Sequence, residues 1–136
     1  MNLKLVFRIF AGFGAFFALM TVIAPDAMVE SYGVTLTDDS KLFLQFATLA
    51  QLMMVVIIWQ IPEWLGENLA KAGTTMMVVA LMPVAMNIYH TTTGVIPASA
   101  AQIGESVVWM VFAGLFYVYS KKSTDAPSDD APTDTE

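Results

Sequence analysis

The chain has 136 residues, of which 57% are hydrophobic and 13% are charged, whereas an average soluble domain has about 45–50% and 25%. This excess of apolar residues predicts a single-domain membrane protein. The formal net charge of -6 lies mostly in the last dozen residues, which excludes a basic surface for nucleic acid. The absence of cysteine excludes disulfides, thiol redox chemistry and thiolate metal sites.

Four apolar segments are long enough to cross a bilayer, because each has about the 20 residues that a hydrocarbon core of roughly 30 Å requires. They are predicted as helices over residues 3–24, 41–61, 70–89 and 98–120. The predicted fold class is therefore all-α, an integral membrane four-helix bundle over residues 1–122. The acidic segment 123–136 has no large apolar residue and is predicted to be a disordered tail.

The first segment has two interpretations. Lys4 and Arg8 precede an apolar stretch that ends in small residues, as in a secretory signal peptide. The apolar part is long, however, and Pro25 follows the best cleavage site, so a retained helix is the favoured prediction. In lipid, small residues at helical spacing allow close packing within the chain or between chains. The small-residue face consists of Ala11, Ala15 and Ala18, with Gly14 beside it, and Gly12 belongs to the same predicted interface.

Local signals predict the helix boundaries. Thr37 or Asp38 is expected to cap the second helix. Trp59 and Trp64 flank the connection to the third helix, where indole rings favour the membrane–water boundary. Because this connection is short, the second and third helices are expected to be antiparallel neighbours. Pro83 is expected to bend the third helix.

The basic residues predict the orientation. With four spans, five of the six lysines and arginines lie on one side and Lys41 alone lies on the other. The five are Lys4, Arg8, Lys71, Lys121 and Lys122. By the positive-inside rule both the N and the C terminus are cytoplasmic, and the expected location is the bacterial inner membrane.

Several polar residues are expected near one depth. At 1.5 Å per residue from the cytoplasmic ends, Gln45, Asn87 and Glu105 all lie roughly 23–24 Å above that boundary. His90 is one turn beyond Asn87, near enough to join them. Trp109 is too deep for a boundary position, so its indole N–H needs an acceptor inside the bundle. These five residues form the predicted ligand-binding site, a polar cup near the outer leaflet with an aromatic floor.

Each polar residue of this site also has a structural interpretation. Glu105 would cap the fourth helix if that helix began later, and His90 would favour the C-terminal dipole of the third helix. Gln45, Gln51 and Asn87 are typical fasteners between helices. If Glu105 faces the bundle, it is expected to be protonated, paired with His90, or bonded to Asn87 or Gln45.

Several enzyme classes are excluded. One histidine cannot supply two axial haem ligands, and the sequence has no Cys/His cluster with metal spacing. It has no glycine-rich phosphate loop and no serine in a nucleophile elbow. No catalytic residue and no metal ligand is predicted, and any catalysis would need a bound cofactor or a partner chain.

The layout resembles the small four-helix membrane proteins of the DoxX-like group. The resemblance covers residues 3–120 and is carried by I-A-P-D-A-M after the first helix, the loop Y-G-V, N-I-Y-H-T-T-T-G-V at the end of the third helix, and an early acidic residue in the fourth. It implies a four-helix bundle and, for some members, an accessory role beside a quinone-linked oxidoreductase. A quinone or another amphipathic small molecule is then an expected ligand. The resemblance assigns no functional residue.

Three functions are compatible with these patterns. The first is an accessory or small-molecule-binding subunit of a membrane complex, with the polar cup as its site. The second is a small proton-coupled transporter or channel subunit in which Glu105 titrates and His90 relays protons. The third is a structural assembly subunit whose small-residue face packs on another membrane subunit or on a second copy. In each case the lipid bilayer is a partner and nucleic acid is not.

Overall fold

The structure, a computed structural model, describes residues 2–124 and consists of helices joined by short connections. The helices are α1 Leu3–Ile23, α2 Pro25–Glu30, α3 Asp38–Leu65, α4 Leu69–Thr92 and α5 Ala100–Thr124, and a 3-10 turn over Gly66–Asn68 links α3 to α4. The described range contains no β-strand. The all-α prediction is confirmed for this range. The predicted tail lies outside the described residues from position 125 onward, and α5 includes its first two residues.

The long helices match the predicted segments but differ at their ends. α3 begins at Asp38 because Thr37 and Ser40 form a capping box, in which each side chain accepts a hydrogen bond from the other residue's backbone N–H. α3 also continues through Pro62, where the sequence predicted an end. Proline costs a helix one backbone hydrogen bond. The full burial of the Pro62 ring offsets that loss.

Three helical segments are long and apolar enough to cross a membrane, namely Leu3–Ile23, Asp38–Thr92 and Ala100–Thr124, and the second contains both α3 and α4. Many large apolar side chains on these helices point outward. On α3, for example, Phe43 is 74% exposed and Phe46 is 64% exposed. Soluble monomers rarely expose contiguous apolar surface of this kind. The helices are therefore compatible with a small membrane protein.

α1 lies at the centre of the bundle. It packs against both α3 and α5, whereas α4 packs chiefly against α5. The Gln51 Nε2 atom on α3 donates a hydrogen bond to the Gly14 carbonyl on α1 at 3.1 Å, so Gln51 acts as a fastener between helices. α3 and α4 run antiparallel but have few direct contacts, because their main partners are α1 and α5. The short connection therefore predicted correctly that α3 and α4 are antiparallel, but the expectation that they are packed neighbours holds only weakly.

The core forms where aromatic rings of α1 meet aromatic rings of α5. Phe7 packs edge-to-face on Phe116 with ring centroids 5.0 Å apart, and Phe10 packs on Phe112 at 4.9 Å and on Trp109 at 5.6 Å. Such pairs contribute about 0.5–1.5 kcal/mol each beyond the area that they bury.

The small-residue face of α1 packs within the chain. Ala11 and Ala18 are buried, and a Cβ atom at Gly14 would lie 3.0 Å from a methyl group of Val55 on α3. Gly12, in contrast, has open space beside it. Most of this face therefore serves the contact between α1 and α3 rather than an outside partner.

Candidate functional site

The polar residues of interest lie at the end of the bundle opposite the connection between α3 and α4. There α4 ends, α5 begins, and the loop after α2 folds over them. The Ser99 hydroxyl accepts a hydrogen bond from the backbone N–H of Gln102 at 3.1 Å and so caps α5. Glu105 lies in the second turn of α5. The helix-capping interpretation of Glu105 is therefore wrong, since α5 begins at Ala100 and Ser99 caps it.

The Glu105 carboxylate accepts hydrogen bonds from three side chains on three parts of the chain. Its Oε2 atom accepts from the Tyr32 hydroxyl in the loop after α2 at 3.0 Å and from the Asn87 amide on α4 at 3.5 Å. Its Oε1 atom accepts from the Trp109 indole N–H at 2.9 Å. The Trp109 indole N–H was expected to need an acceptor inside the bundle, and Glu105 is that acceptor. The partners expected for Glu105 were His90, Asn87 and Gln45, and of these Asn87 forms a hydrogen bond with it.

A second set of hydrogen bonds joins α4 to α5 beside this carboxylate. The Asn87 amide also donates to the Ser106 hydroxyl at 3.1 Å. The side chain of Gln102, only 3% exposed, donates to the Asn87 carbonyl at 3.3 Å and accepts from the Thr91 hydroxyl at 3.2 Å. Asn87 therefore fastens the two helices, as its structural interpretation predicted, and it also contacts Glu105. We call Tyr32, Asn87, Gln102, Glu105, Ser106 and Trp109 the Glu105 network.

His90 lies near the network but does not join it. It is in the last turn of α4, one turn beyond Asn87, and within residues 2–124 its imidazole forms no hydrogen bond. Its backbone carbonyl accepts from the N–H of Val95 at 2.9 Å as the helix ends. A cation at this position would be stabilised by the C-terminal end of the helix dipole. The position of His90 thus fits its structural interpretation.

Gln45 lies elsewhere. It is exposed on α3, in a groove between α1 and α3 that it shares with Lys41 and Thr48. α3 packs chiefly on α1 and not on α5, so Gln45 and Glu105 do not meet. Counting residues along a helix predicted a similar depth for both but gave no information on which helices are neighbours.

Three residues of the network were missed at the sequence level. Gln102 and Ser106 lie at spacings of three and one from Glu105, and with Trp109 they follow the i, i+3, i+4, i+7 pattern of one helix face. That periodicity could have identified them. Tyr32 comes from an irregular loop, where no periodic pattern indicates which way a side chain points.

A groove of about 380 Å³ lies between α4 and α5 next to the network. Asn87, Gln102 and Ser106 form its polar edge, and the rest of its wall is mostly apolar, including Val107 and Met110. A small number of polar groups beside an apolar wall is typical of sites for amphipathic small molecules.

The environment of Tyr32 raises the pKa of its phenol from 10.0 to about 12, first through burial and then through the charge of Glu105 and the hydrogen bond to it. At neutral pH the phenol is therefore protonated and donates to the carboxylate. In the unfolded chain the phenol ionises near pH 10. The contribution of Tyr32 to folding stability is then complete below pH 10 and is lost as the pH rises towards 12.

Titration of phenolate absorbance is expected to show one of the four tyrosines ionising about two pH units above an ordinary tyrosine, because of burial and Glu105. The Tyr32→Phe variant should lack this late step. Glu105→Gln should lower the pKa of Tyr32 while leaving it above 10, since burial persists. A late step that survives in Tyr32→Phe would assign the shift to another tyrosine.

Comparison of the chain with protein-family models, with curated proteins and with solved structures gave no match. Over residues 2–124 there is no group of three or more His, Asp or Glu side chains that could hold a metal ion.

Proposed function

We propose that the chain is an integral membrane protein with four spans, α1, α3, α4 and α5, which binds an amphipathic small molecule in the groove between α4 and α5. It would serve as an accessory subunit of a larger membrane complex. The apolar outward faces of the long helices support the membrane location. The network at one end of the bundle supports a site there.

The basic residues support an orientation with both termini in the cytoplasm. At the end opposite the network, Arg8 pairs with Glu63 at 2.8 Å and lies over the Trp59 ring at 5.5 Å. Arginine with tryptophan is typical of a membrane–water boundary. In this orientation the network lies near the outer leaflet of a cell membrane, and we place the protein in the bacterial inner membrane.

The observation that carries the binding function is the sharing of residues between the network and the groove. Asn87, Gln102 and Ser106 contribute to both. The fixed positions of these side chains, held by hydrogen bonds from α4 to α5, present a preorganised polar edge. A ligand with a polar head and an apolar tail would place its head at this edge and its tail along Val107 and Met110.

A quinone with an alkyl tail fits this description, because its ring carbonyls accept hydrogen bonds and its tail is apolar. The Gln102 side-chain amide donates one N–H to the Asn87 carbonyl, and its second N–H is a donor for such a carbonyl at the groove edge. The resemblance to the DoxX-like group favours the same class of ligand. A partner subunit or a second copy would then complete the membrane complex.

Ligand binding in the groove between α4 and α5 is tested by a substitution that narrows this groove. Decylubiquinone, a quinone with a ten-carbon tail, is expected to raise the apparent melting temperature of the detergent-solubilised protein. At about 100 times the Kd the gain is about 2.7 kcal/mol. Val107→Phe should reduce this shift by filling the apolar wall. Val118→Phe is the matched control, since Val118 is also exposed on α5 but lies outside the groove. Equal shifts in all three proteins would contradict the site.

The transporter and the assembly subunit remain alternatives. In the transporter, Glu105 would exchange protons with a pathway and His90 would relay them. The carboxylate instead accepts from three neutral donors, and these are suited to holding it in place. In the assembly subunit, the open space beside Gly12 is the part of the small-residue face available to a partner.

A further inference from the structure

We infer that the groove between α1 and α3 is a second binding site, which holds one phospholipid with a phosphoethanolamine headgroup. This site rests on the proposed membrane insertion of the helices. It is separate from the groove between α4 and α5, because the two share no residue.

The shape of the groove fits an acyl chain in one leaflet. Its volume is about 280 Å³, and its wall includes Val22 on α1 and Leu44, Leu49 and Leu52 on α3. From Lys41 at the mouth to Leu52 at the far end, α3 rises about 16 Å, which is roughly half of a 30 Å hydrocarbon core. The groove therefore has the depth of a single leaflet.

Lys41 lines the mouth of the groove, and Asp26 on α2 lies beside it. The Lys41 ammonium lies 3.5 Å from the Asp26 carboxylate, and the two side chains are 43% and 60% exposed. An exposed pair at this distance contributes little to stability and separates readily. Lys41 is then available to a lipid phosphate, while Asp26 is available to a lipid ammonium a few ångströms away.

The charges around the mouth select the headgroup. This end of the bundle is acidic, because its carboxylates outnumber the Lys41 ammonium. The carboxylates are those of Asp26 and Glu30 on α2 and of Asp38 and Asp39 in the first turn of α3. A headgroup with a net negative charge is disfavoured here. Between zwitterionic heads, a primary ammonium can donate N–H hydrogen bonds to the Asp26 carboxylate, whereas a trimethylated ammonium cannot.

Native mass spectrometry of the full chain in mild detergent tests this site. The probes are dioleoyl phosphatidylethanolamine, phosphatidylcholine and phosphatidylglycerol, each added separately. Phosphatidylethanolamine is expected to give a one-to-one complex that survives higher collision energy than the complexes of the other two lipids. Asp26→Asn and Lys41→Gln should each lower its occupancy roughly three- to fivefold, the effect expected for one exposed charge pair.

The matched control is Glu63→Gln, which removes the exposed ion pair with Arg8 at the opposite end of the bundle and should leave occupancy unchanged. Equal retention of the three lipids, stronger retention of phosphatidylglycerol, or unchanged occupancy in both Asp26→Asn and Lys41→Gln would overturn the site. Failure of membrane insertion would be seen separately, as release of the protein from membranes by carbonate wash before any detergent is added.

Discussion

Replacing Gly73 by leucine is expected to destabilise the bundle by about 3 kcal/mol, at the upper end of the cost of overpacking a core. Gly73 lies near the start of α4, where that helix meets both α1 and α5. A Cβ atom there would overlap the buried Ser120 hydroxyl on α5 and would lie 3.1 Å from a methyl group of Leu3 on α1. A larger side chain would therefore push α4 away from both neighbours.

The measurement is reversible unfolding in a titration from mild detergent into sodium dodecyl sulfate. Gly114→Leu is the matched control, because Gly114 is exposed on α5 and an added Cβ atom there meets no atom within 4 Å. Leucine is the better helix former by about 0.8 kcal/mol, so Gly114→Leu should be neutral or slightly stabilising. Equal unfolding midpoints for both variants would show that α4 does not pack on α5 as described.

The architecture could be predicted from the sequence because it follows from a coarse signal. Apolar runs of about 20 residues specify membrane helices whatever their partners are. Boundaries were less predictable where two signals conflicted. At Pro62 the helix-breaking tendency of proline competes with the burial of its ring, and only tertiary packing decides between them.

Helix pairing was the part of the fold that the sequence could not give. Lipid tails are as apolar as leucine, so periodicity does not show which face of a membrane helix meets a neighbour. Gln45 and Glu105 were placed at a similar depth, yet α3 packs on α1 and α5 packs on α4. The polar residues that did meet, Asn87 and Glu105, lie on helices joined by a short connection.

The Glu105 network shows how the loop after α2 contributes to the bundle. Tyr32 is held at a Glu105 oxygen, and Gly33 next to it has a positive φ of 75°, a conformation that glycine adopts readily. A Cβ atom at Gly33 would also lie 3.1 Å from the Pro97 ring in the connection before α5. The Y-G pair thus brings the loop after α2 close to the start of α5, above the polar end of α4.

Glu105→Leu is expected to release this loop and to destabilise the protein by about 2 kcal/mol. Tyr32 and Trp109 each lose the acceptor of their side-chain hydrogen bond, at about 1–3 kcal/mol per unpaired donor. Asn87 keeps Ser106 as a partner. If the bundle is inserted as proposed, leucine also avoids the cost of placing a carboxylate in the membrane, which is at most about 3 kcal/mol at the centre and smaller near a helix end. The lost hydrogen bonds therefore exceed the saving.

Two measurements separate these contributions. Amide hydrogen exchange should accelerate at Tyr32 and Gly33, which lose their anchor, while exchange in the core of α1 changes only as far as global stability does. Glu105→Gln keeps one acceptor oxygen and should show a smaller effect on both exchange and unfolding. Glu63→Gln removes a glutamate from an exposed ion pair at the other end and should alter neither. If amide exchange at Tyr32 and Gly33 in Glu105→Leu matched the wild type, the carboxylate would not be what holds the loop after α2 to α5.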